Sequence, residues 1–594
     1  MIQERLCKLR ESMKASGIDC YLIPTSDFHD SEYISGFFRA REYFSGFSGS
    51  AGTLVVLQDE AALFTDGRYF IQAGKQLEGS GIELMKIGEP EVPTLNEYLE
   101  QKLSQGQSLG FDGRVVKARS AGEYEEILEK KLGHLIWDQD LAQGIWKERP
   151  KLEHHPISIL GEDYSGESAA SKISRLREKM KEEEATMHIL TSLDDIAWLL
   201  NIRGNDVVHC PVMLAYAVIT MEELLLFAEE SACSEEVRGY FAENGISLRP
   251  YDDFYGYVSN IYDECLLVCL DRINCRVKKE LGDEVEILDQ PNPTSLMKAV
   301  KNPVEMENLR KSHLKDGIAV THFMYWLKKN IDKLPMTEIS AAEQLEAFRR
   351  QQEGFLEPSF ETICAYGPNG AIVHYSASPE NYADLKPEGL LVVDSGGHYP
   401  EGTTDITRTF ALGALTADMK KHFTLVLRAM LNLKNTRFLQ GCRGLNLDVR
   451  AREVLWEYGL DYKHGTGHGV GYLLNVHEGP NGFRWRLLEH EENAELEEGM
   501  VTTDEPGLYI EGSHGIRIEN ELLCRKGEEN EYGQFMYFED LTCVPIDLDA
   551  VDNAYLEAKD KERLNAYHRQ VYEKLSPYFE GDELTWLKEA TREI

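Results

Sequence analysis

Two carboxylates in the second half of the chain stand where a predicted hairpin could bring them together. Asp394 ends an apolar run and Asp405 opens a β-rich run. The connection between them, residues 395–402, is rich in glycine and predicts a turn between two antiparallel strands. Asp394 and Asp405 are equally distant from a turn centred at Tyr399 and Pro400, which predicts cross-strand neighbours with both carboxylates on one face.

A second pair of carboxylates follows the same pattern further along the chain. Glu505 and Glu519 flank the turn-rich run 511–515, which predicts another hairpin. Arg517 lies two residues before Glu519, and strand residues alternate between faces, so we expect both on one face. The sequence thus predicts four acidic side chains and one guanidinium group on two hairpins.

A run of histidine and glycine lies between the two hairpins. Residues 464–471 contain four glycines, too many for a stable helix, so this run is predicted to be a loop or an irregular strand. It carries His464 and His468. His468 is therefore available as a nitrogen ligand.

This set of residue types is typical of a metal centre with two ions. Four clustered carboxylates would repel one another, whereas two divalent ions about 3.5–4 Å apart would neutralise them and bridge a nucleophilic hydroxide. Oxygen ligands with one imidazole favour manganese, with cobalt, iron or zinc as alternatives. Each residue alone also has a structural explanation as a turn or loop residue, and only the joint arrangement indicates metal chemistry.

The elements that must position these residues fall into three predicted domains. A chain of 594 residues is too long for one core, and proline-rich breaks divide it into residues 1–150, 151–300 and 301–594. A long helical pattern over residues 305–328 opens the third domain, which contains the motifs described above. Charged helices from about residue 550 are predicted to pack on that domain.

The first two predicted domains share an order of elements. A strand at residues 20–24 precedes two paired strands at 53–57 and 61–65. Residues 187–194 resemble residues 21–27, and apolar strands are predicted after them, at residues 212–219 and 223–227. The pattern indicates two copies of one α/β domain, with chance similarity between two ordinary strand-turn-helix units as the alternative.

Composition limits the class of protein and its partners. A net charge of -39, from 102 acidic and 63 basic residues, argues against nucleic acid as a partner. The eleven cysteines show no spacing of a zinc cluster or disulfide framework and are expected to be reduced thiols. With no apolar signal or membrane segment in the sequence, we expect a cytoplasmic protein with no membrane association.

The motifs together resemble those of the X-Pro aminopeptidases (aminopeptidase P), in the long form with three domains. No metal-ligand position departs from the family pattern. The segments that carry the resemblance are Asp394 with Asp405, residues 464–471, 474–480, 505–507 and 515–519, and, near the start of the chain, residues 45–52 and 65–69.

The resemblance implies a fold, a reaction and a set of site residues. The fold would be α/β, with two related N-terminal α/β domains followed by a C-terminal pita-bread catalytic domain. The substrates would be peptides with proline in the second position, cleaved before that proline by a metallopeptidase that forms a homodimer. In the implied metal site Asp394 binds one ion, Asp405 and Glu519 bridge both, and His468 and Glu505 complete the second. The implied catalytic residues are Glu505 as general base, with His374, His464, His477 and Arg517 lining the substrate site.

Several alternatives remain open at this point. An X-Pro dipeptidase would share these ligands but typically lacks the repeated N-terminal domains, and a catalytically silent scaffold would have no reason to keep five ligands. A methionine aminopeptidase would be much shorter, and creatinase-like relatives have lost these ligands. The polar residues His29, Arg41 and His209 in the first two domains are interpreted as structural, and Cys364 as a core residue.

Overall fold

The computed structural model describes residues 1–487 and 493–594, which cluster into two compact units. The first unit comprises Met1–Gly161 with Glu167–Thr294, and the second comprises Glu162–Gly166 with Ser295–Ile594. Within the two described ranges, no helix is both long and apolar enough to cross a membrane.

The first unit begins with a mixed sheet flanked by helices. Its elements in chain order are α1 (Ile2–Ala15), β1 (Cys20–Pro24), α2 (Ala40–Ser45), β2 (Thr53–Leu57), β3 (Ala61–Thr65), α3 (Phe70–Gln76), β4 (Glu83–Lys86), α4 (Leu95–Lys102), β5 (Ser108–Gly110), α5 (Ala118–Lys130), β6 (His134–Ile136) and α6 (Leu141–Ile145). The strands form one sheet in the order β4-β3-β2-β1-β5-β6.

The chain then builds a second sheet of the same kind. The elements that follow are β7 (Ser158–Ile159), α7 (Glu162–Ser165), α8 (Ala169–Glu182), β8 (Met187–Leu190), α9 (Leu193–Leu199), β9 (Ile202–Arg203), β10 (Ala215–Thr220), β11 (Leu224–Ala228), α10 (Glu235–Glu243), β12 (Ile246–Pro250), α11 (Phe254–Val258), β13 (Cys265–Val268), α12 (Cys275–Glu280), β14 (Glu286–Asp289) and α13 (Pro293–Ala299). The second sheet has the order β12-β11-β10-β8-β13-β14.

The two sheets have one topology. In each, the first strand pairs antiparallel with the second and parallel with the fifth, and the third pairs parallel with the fourth. The remaining neighbours also agree in direction. The predicted internal repeat is therefore confirmed at the level of strand order.

One strand pair of the second copy begins later in the chain than the sequence predicts. The predicted strands at 212–219 and 223–227 are β10 and β11, which begin three residues and one residue later. The Asp206 N–H donates to the Val212 carbonyl at 3.0 Å, and the Asp206 carboxylate accepts the Leu214 N–H at 2.8 Å. A neighbouring loop thus takes the hydrogen bonds that a longer strand would have made.

The second unit contains the long helices and the acidic hairpins. Its elements are α14 (Pro303–Asn330), α15 (Glu338–Arg349), β15 (Ile363–Tyr366), β16 (Leu390–Ser395), β17 (His398–Tyr399), β18 (Gly402–Thr403), β19 (Ile406–Ala411), α16 (Ala417–Lys434), β20 (Phe438–Leu439), α17 (Gly444–Leu447), α18 (Val449–Trp456), β21 (Gly467–Gly469), β22 (Glu478–Phe483), β23 (Val501–Asp504), β24 (Gly507–Ile510), β25 (His514–Arg517), β26 (Asn520–Asn530), β27 (Gly533–Asp540), α19 (Ala558–Leu575) and α20 (Gly581–Ala590). A six-stranded sheet runs β20-β27-β26-β23-β21-β22, and a three-stranded sheet runs β15-β16-β19.

The helix α14 begins where its sequence supplies a complete cap. Asn302 accepts backbone N–H groups of the first turn, and Glu305 accepts the Asn302 N–H at 2.9 Å. Pro303 occupies the first helical position, where its missing N–H costs no hydrogen bond. The cap fixes the start of the predicted helix at residues 305–328, which the structure extends at both ends.

The core of the second unit packs on both sides of α16. Val426 and Met430 belong to one apolar cluster, whereas Leu425 and Ala429 belong to another. The first cluster also includes residues of the last two helices, among them Leu575 and Leu587. Packing on two sides explains why every residue from 423 to 433 of α16 is buried.

Candidate metal centre

The first acidic hairpin has a register that differs from the predicted one. Tyr399 pairs with Gly402, so the turn is centred between Pro400 and Glu401. Asp394 consequently pairs with Thr407. The prediction that Asp394 and Asp405 are direct cross-strand neighbours is wrong, because the turn is centred one residue later than expected. The two aspartates are diagonal neighbours, which keeps them on one face.

The second acidic hairpin forms where the sequence predicts it. Gly507 pairs with Arg517, and beyond them Asp504 pairs with Asn520. Both pairings belong to one register, in which Glu505 stands opposite Glu519. The turn between the strands therefore brings two acidic residues to opposite positions of the hairpin.

His468 lies on the short strand β21, and the strand is irregular as predicted. The register shifts between His468 and Gly469, and the His468 N–H donates to Thr503 Oγ1 at 3.0 Å. Nδ1 of His468 contacts the Gly469 carbonyl at 2.9 Å. Nε2 lies 3.4 Å from Asp405 Oδ2 and 3.5 Å from Glu505 Oε1. One ring nitrogen thus faces both hairpins.

The donor atoms converge in a way that suits divalent cations. One atom each of Asp405, His468 and Glu519 lies within 4.8 Å of the others. Oδ1 of Asp394 and Oδ1 of Asp405 are buried and have no hydrogen-bond partner among the residues that the structure describes. Buried carboxylate oxygens are stable when hydrogen-bonded or bound to a cation. The residues present therefore fit the predicted pair of metal ions.

The electrostatics of the cluster point the same way. Burial raises the pKa of Asp405 well above its usual range, and the charges of Glu519, Asp394 and Glu505 raise it further. Burial and the charges of Glu505 and Asp394 likewise raise the pKa of Glu519. Burial raises the pKa of Glu505 to about 7, although the charge of Arg517 opposes the shift. Burial is the largest cause of these shifts and mutual repulsion adds to it, and bound cations would offset both.

Arg517 connects the metal centre to two further side chains. Its Nε and Nη2 donate to Asp394 Oδ2 at 3.1 and 2.6 Å. Its Nη1 donates to the Tyr509 hydroxyl at 2.8 Å, and Tyr509 in turn contacts Nε2 of His464 at 2.9 Å. A continuous chain of contacts thus joins His464 to Asp394. Tyr509 was missed by the sequence reasoning, although its place two residues from Gly507 in the hairpin was a usable signal.

A buried ion pair holds the loop that carries His464. Asp448 and Arg452 form a 2.7 Å contact with both side chains fully buried. Arg452 donates to the carbonyls of Tyr462 and His464 at 2.8 and 2.6 Å. Asp448 accepts the Thr466 hydroxyl at 2.5 Å. The start of α18 and its first turns therefore fix the loop on both sides of His464.

The other two predicted histidines are placed beside this network. The His477 ring lies edge-on to the His468 ring, with 4.2 Å between ring centroids. The next residue, Glu478, forms a buried ion pair with Lys301 at 2.5 Å. His374 follows Val373, whose carbonyl accepts Nη2 of Arg517 at 3.3 Å.

One acidic and one basic side chain behind the candidate ligands, Glu521 and His313, were not predicted. Glu521 Oε1 accepts the Asp405 N–H at 2.6 Å and lies 3.1 Å from Nε2 of His313. Burial lowers the pKa of His313, but the charge of Glu521, its hydrogen bond and the Leu309 carbonyl together raise the pKa overall. The position of Glu521, two residues after Glu519 on an alternating strand, was a signal for its inward orientation.

The polar residues interpreted as structural are engaged in local packing. Buried His29 contacts the Thr191 carbonyl and the Tyr251 hydroxyl at 2.9 and 2.8 Å. Arg41 is buried and donates to the carbonyls of Phe47 and Gly49. His209 occupies a turn at a φ of 62°. Cys364 is a buried core residue of the three-stranded sheet, and all eleven cysteines are free thiols.

Comparison with known families accounts for most of the chain. The profile of metallopeptidase family M24 matches residues 307–526, and that of the C-terminal region of peptidase M24 matches residues 534–594. Two profiles of the creatinase/prolidase N-terminal domain match residues 5–137 and 148–305.

Full-length relatives resemble the chain from end to end. A probable Xaa-Pro aminopeptidase P of Botryotinia fuckeliana is 39% identical, over 98% of this chain and 92% of the relative. Aminopeptidase P2 of Arabidopsis thaliana is 38% identical, over 100% and 89%. The X-prolyl aminopeptidase of Caenorhabditis elegans, described as a cytosolic enzyme with a dinuclear active site, matches with a TM-score of 0.95 and 33% identity over 100% of both chains. A prolidase of Thermococcus sibiricus shares only the fold, with a TM-score of 0.51 and 23% identity over 64% of this chain and 99% of that chain.

Proposed function

Because this chain belongs to metallopeptidase family M24, we propose that it is a metal-dependent aminopeptidase that removes the residue preceding an N-terminal proline. The convergence of Asp405, His468 and Glu519, beside two buried carboxylate oxygens without partners among the described residues, carries the proposal. The full-length likeness to Xaa-Pro aminopeptidases supports the choice of substrate.

The proposed ligands are Asp394, Asp405, His468, Glu505 and Glu519, which together offer one nitrogen and four carboxylates. Two divalent ions held there would supply Lewis acidity, which polarises a carbonyl and makes water nucleophilic near neutral pH. Manganese is the proposed metal, since carboxylates dominate the donor set, with cobalt, iron or zinc as alternatives.

The chain's own residues are proposed to handle protons and to orient the substrate. Glu505 accepts the proton of the attacking water, a role suited to a carboxylate whose Oε1 lies 3.5 Å from Nε2 of His468, among the proposed ligands. Arg517 holds one oxygen of Asp394, so that carboxylate keeps a single orientation.

The histidines are proposed to serve the two ends of the scissile bond. The nitrogen of proline leaves as a secondary amine and must gain a proton, which an imidazole can donate near neutral pH. His374, His464 and His477 are the candidates for this transfer and for hydrogen bonding to the carbonyl oxygen. His464 is held through Tyr509, so its ring orientation is fixed before substrate binds.

The state of the protein in the cell is also a proposal. Free thiols at all eleven cysteines are typical of a reducing compartment, which supports a cytoplasmic location. We expect a homodimer from the family resemblance. Size-exclusion chromatography with light scattering measures that directly.

The proposed activity is tested with metal-free protein to which manganese is returned. A peptide beginning Arg-Pro-Pro, its Arg-Ala-Pro counterpart and an X-Pro dipeptide are followed by mass spectrometry. We expect loss of the first arginine from Arg-Pro-Pro alone, abolished in Glu505→Ala and retained in Glu511→Ala, an exposed glutamate of the same hairpin. Cleavage of the dipeptide alone would favour a dipeptidase, and metal binding without cleavage would favour a scaffold.

A further inference from the structure

Glu338 is a buried carboxylate that binds one loop of the second unit at four points. It is the first residue of α15, and none of its surface is exposed. The loop, residues 366–383, contains His374 and is called the His374 loop here. The donors to Glu338 are the Tyr366 N–H at 2.6 Å, the Asn369 side-chain amide at 3.0 Å, the Tyr375 hydroxyl at 2.8 Å and the Ala383 N–H at 2.7 Å.

The chemistry of these contacts requires a carboxylate. Each of the four partners donates, and an ionised glutamate accepts through both of its oxygens. A glutamine in the same place would present an N–H group toward at least one of these donors. A buried donor that loses its acceptor is destabilising, so the contacts form a unit that tolerates little change.

The same loop is held a second time, by the metal-centre hairpin. The Val373 carbonyl accepts Nη2 of Arg517 at 3.3 Å. Gly370 packs against Gly515 so closely that a Cβ added to Gly515 would lie 1.6 Å from the Gly370 carbonyl oxygen. His374 therefore stands between two neighbours that are both anchored, Val373 on Arg517 and Tyr375 on Glu338.

We propose that Glu338 is a positioning residue for the aminopeptidase reaction, and that it acts by fixing His374 relative to Arg517 and Asp394. The inference rests on the proposed function, because it gives His374 a role at the substrate. Glu338 itself touches the loop and the start of α15, and is not assigned a contact with the substrate. Its effect on the reaction passes through the backbone on either side of His374.

Steady-state kinetics on the Arg-Pro-Pro peptide test this role. We expect Glu338→Gln to lower kcat roughly 10- to 100-fold, since a small misplacement of a catalytic group can cost about 100-fold. In a His374→Ala background the same substitution should cost less than about 3-fold, because the group that Glu338 positions is already gone. Glu305→Gln is the matched control, a buried glutamate that also accepts a backbone N–H at a helix start.

A second measurement does not depend on catalysis. Hydrogen–deuterium exchange read by mass spectrometry should show faster exchange over residues 366–383 in Glu338→Gln and no such change in Glu305→Gln. Tyr375→Phe removes one hydroxyl and leaves Glu338 in place, so it should reproduce a smaller part of both effects even if Glu338→Gln folds poorly.

The outcomes separate the two proposals. Wild-type protein that cleaves no X-Pro peptide contradicts the proposed function, while exchange still reports whether Glu338 holds the loop. Wild-type activity with unchanged kcat in Glu338→Gln and Tyr375→Phe overturns the positioning role. Equal losses from Glu338→Gln with and without His374 would also overturn it, since Glu338 would then act elsewhere.

Discussion

Arg517 donates two hydrogen bonds to a single oxygen of Asp394, at 3.1 and 2.6 Å, and leaves the other oxygen, Oδ1, without a hydrogen-bond partner in the described ranges. The protein thus fixes one oxygen of this carboxylate, and the other oxygen is available to a cation. The same guanidinium group reaches Tyr509 and the Val373 carbonyl. One side chain thus orients a proposed metal ligand and contacts two elements of the proposed substrate site.

The first prediction concerns that guanidinium group. Arg517→Lys keeps the charge but loses the fork that binds Asp394 and Tyr509 together. We expect kcat/KM on the Arg-Pro-Pro peptide to fall roughly 100-fold or more, as when one preorganised donor is removed from an active site. Arg428→Lys is the control, since Arg428 also forks between two carboxylates, Asp560 and Glu557. Unchanged kinetics in Arg517→Lys would contradict this account of Arg517.

The second prediction concerns metal removal. Without cations Glu519 faces like charges, so Glu519→Gln should raise the unfolding free energy of the metal-free protein by about 1–2 kcal/mol. With manganese at 100 times its dissociation constant the wild type should gain about 2.7 kcal/mol, and the variant less. Calorimetry should therefore show the order of stability reversing when metal is added. The same order in both states would argue against Glu519 as a ligand.

The third prediction concerns the chain from His464 to Arg517. Tyr509→Phe removes the hydroxyl that contacts both side chains, at 2.9 and 2.8 Å. We expect kcat to fall, with an activation free energy about 1–3 kcal/mol higher, because the buried partners lose a hydrogen bond. The loss should shrink in a His464→Ala background, measured as a double-mutant cycle. Tyr240→Phe, which loses a hydroxyl bonded to the Leu200 carbonyl in the first unit, serves as the control.

The fourth prediction concerns stability against pH. Nε2 of His514 lies 3.0 Å from Nδ1 of His422, and burial together with that neighbour lowers the pKa of His514 from 6.5 to about 4, although the charge of Asp418 opposes the shift. Between pH 6.5 and about 4, therefore, His514 is protonated in the unfolded chain and neutral in the folded chain. The contribution of His514 to stability is present above pH 6.5 and is lost as the pH falls through about 4.

His514→Phe tests this by removing the titrating group. Between about pH 7 and pH 4.5, wild-type stability should fall by about 1–3 kcal/mol more than that of the variant. Urea unfolding at several pH values measures the difference. Ser513→Thr retains both histidines and the hydroxyl that contacts Nδ1 of His514 at 2.8 Å, so its curve should follow the wild type. Parallel curves for wild type and His514→Phe would contradict the assigned shift.

Much of the site could be predicted because its elements are local. Two hairpins, an irregular strand at His468 and the strand ends at Asp394 and Glu505 all follow from residue types within a few positions. The register of the first hairpin did not, because the choice between two neighbouring turn centres depends on backbone packing. Gly396 lies so close to the Thr404 carbonyl that an added Cβ would be 1.8 Å from its oxygen, a contact that a pattern of residue types does not reveal.

The residues that were missed act over long distances in sequence. Glu338 holds residues up to 45 positions away, and Glu521 accepts the N–H of Asp405 across 116 positions. Tyr509 is near in sequence to its partner Arg517 but binds His464 across 45 positions. Such contacts depend on how the strands assemble, so the histidines and ligands could be named while the groups that hold them could not.

The hydrogen bond from Asp405 to Glu521 joins two parts of the site that are translated at different times. Asp405 leaves the ribosome long before Glu521 has been translated, and Glu519 is made only two residues earlier than Glu521. The nascent chain carries an incomplete set of the proposed ligands while more than a hundred residues are added. Loading of the proposed metal site therefore follows translation of the second hairpin, because Glu505 and Glu519 are the last of its residues to be made.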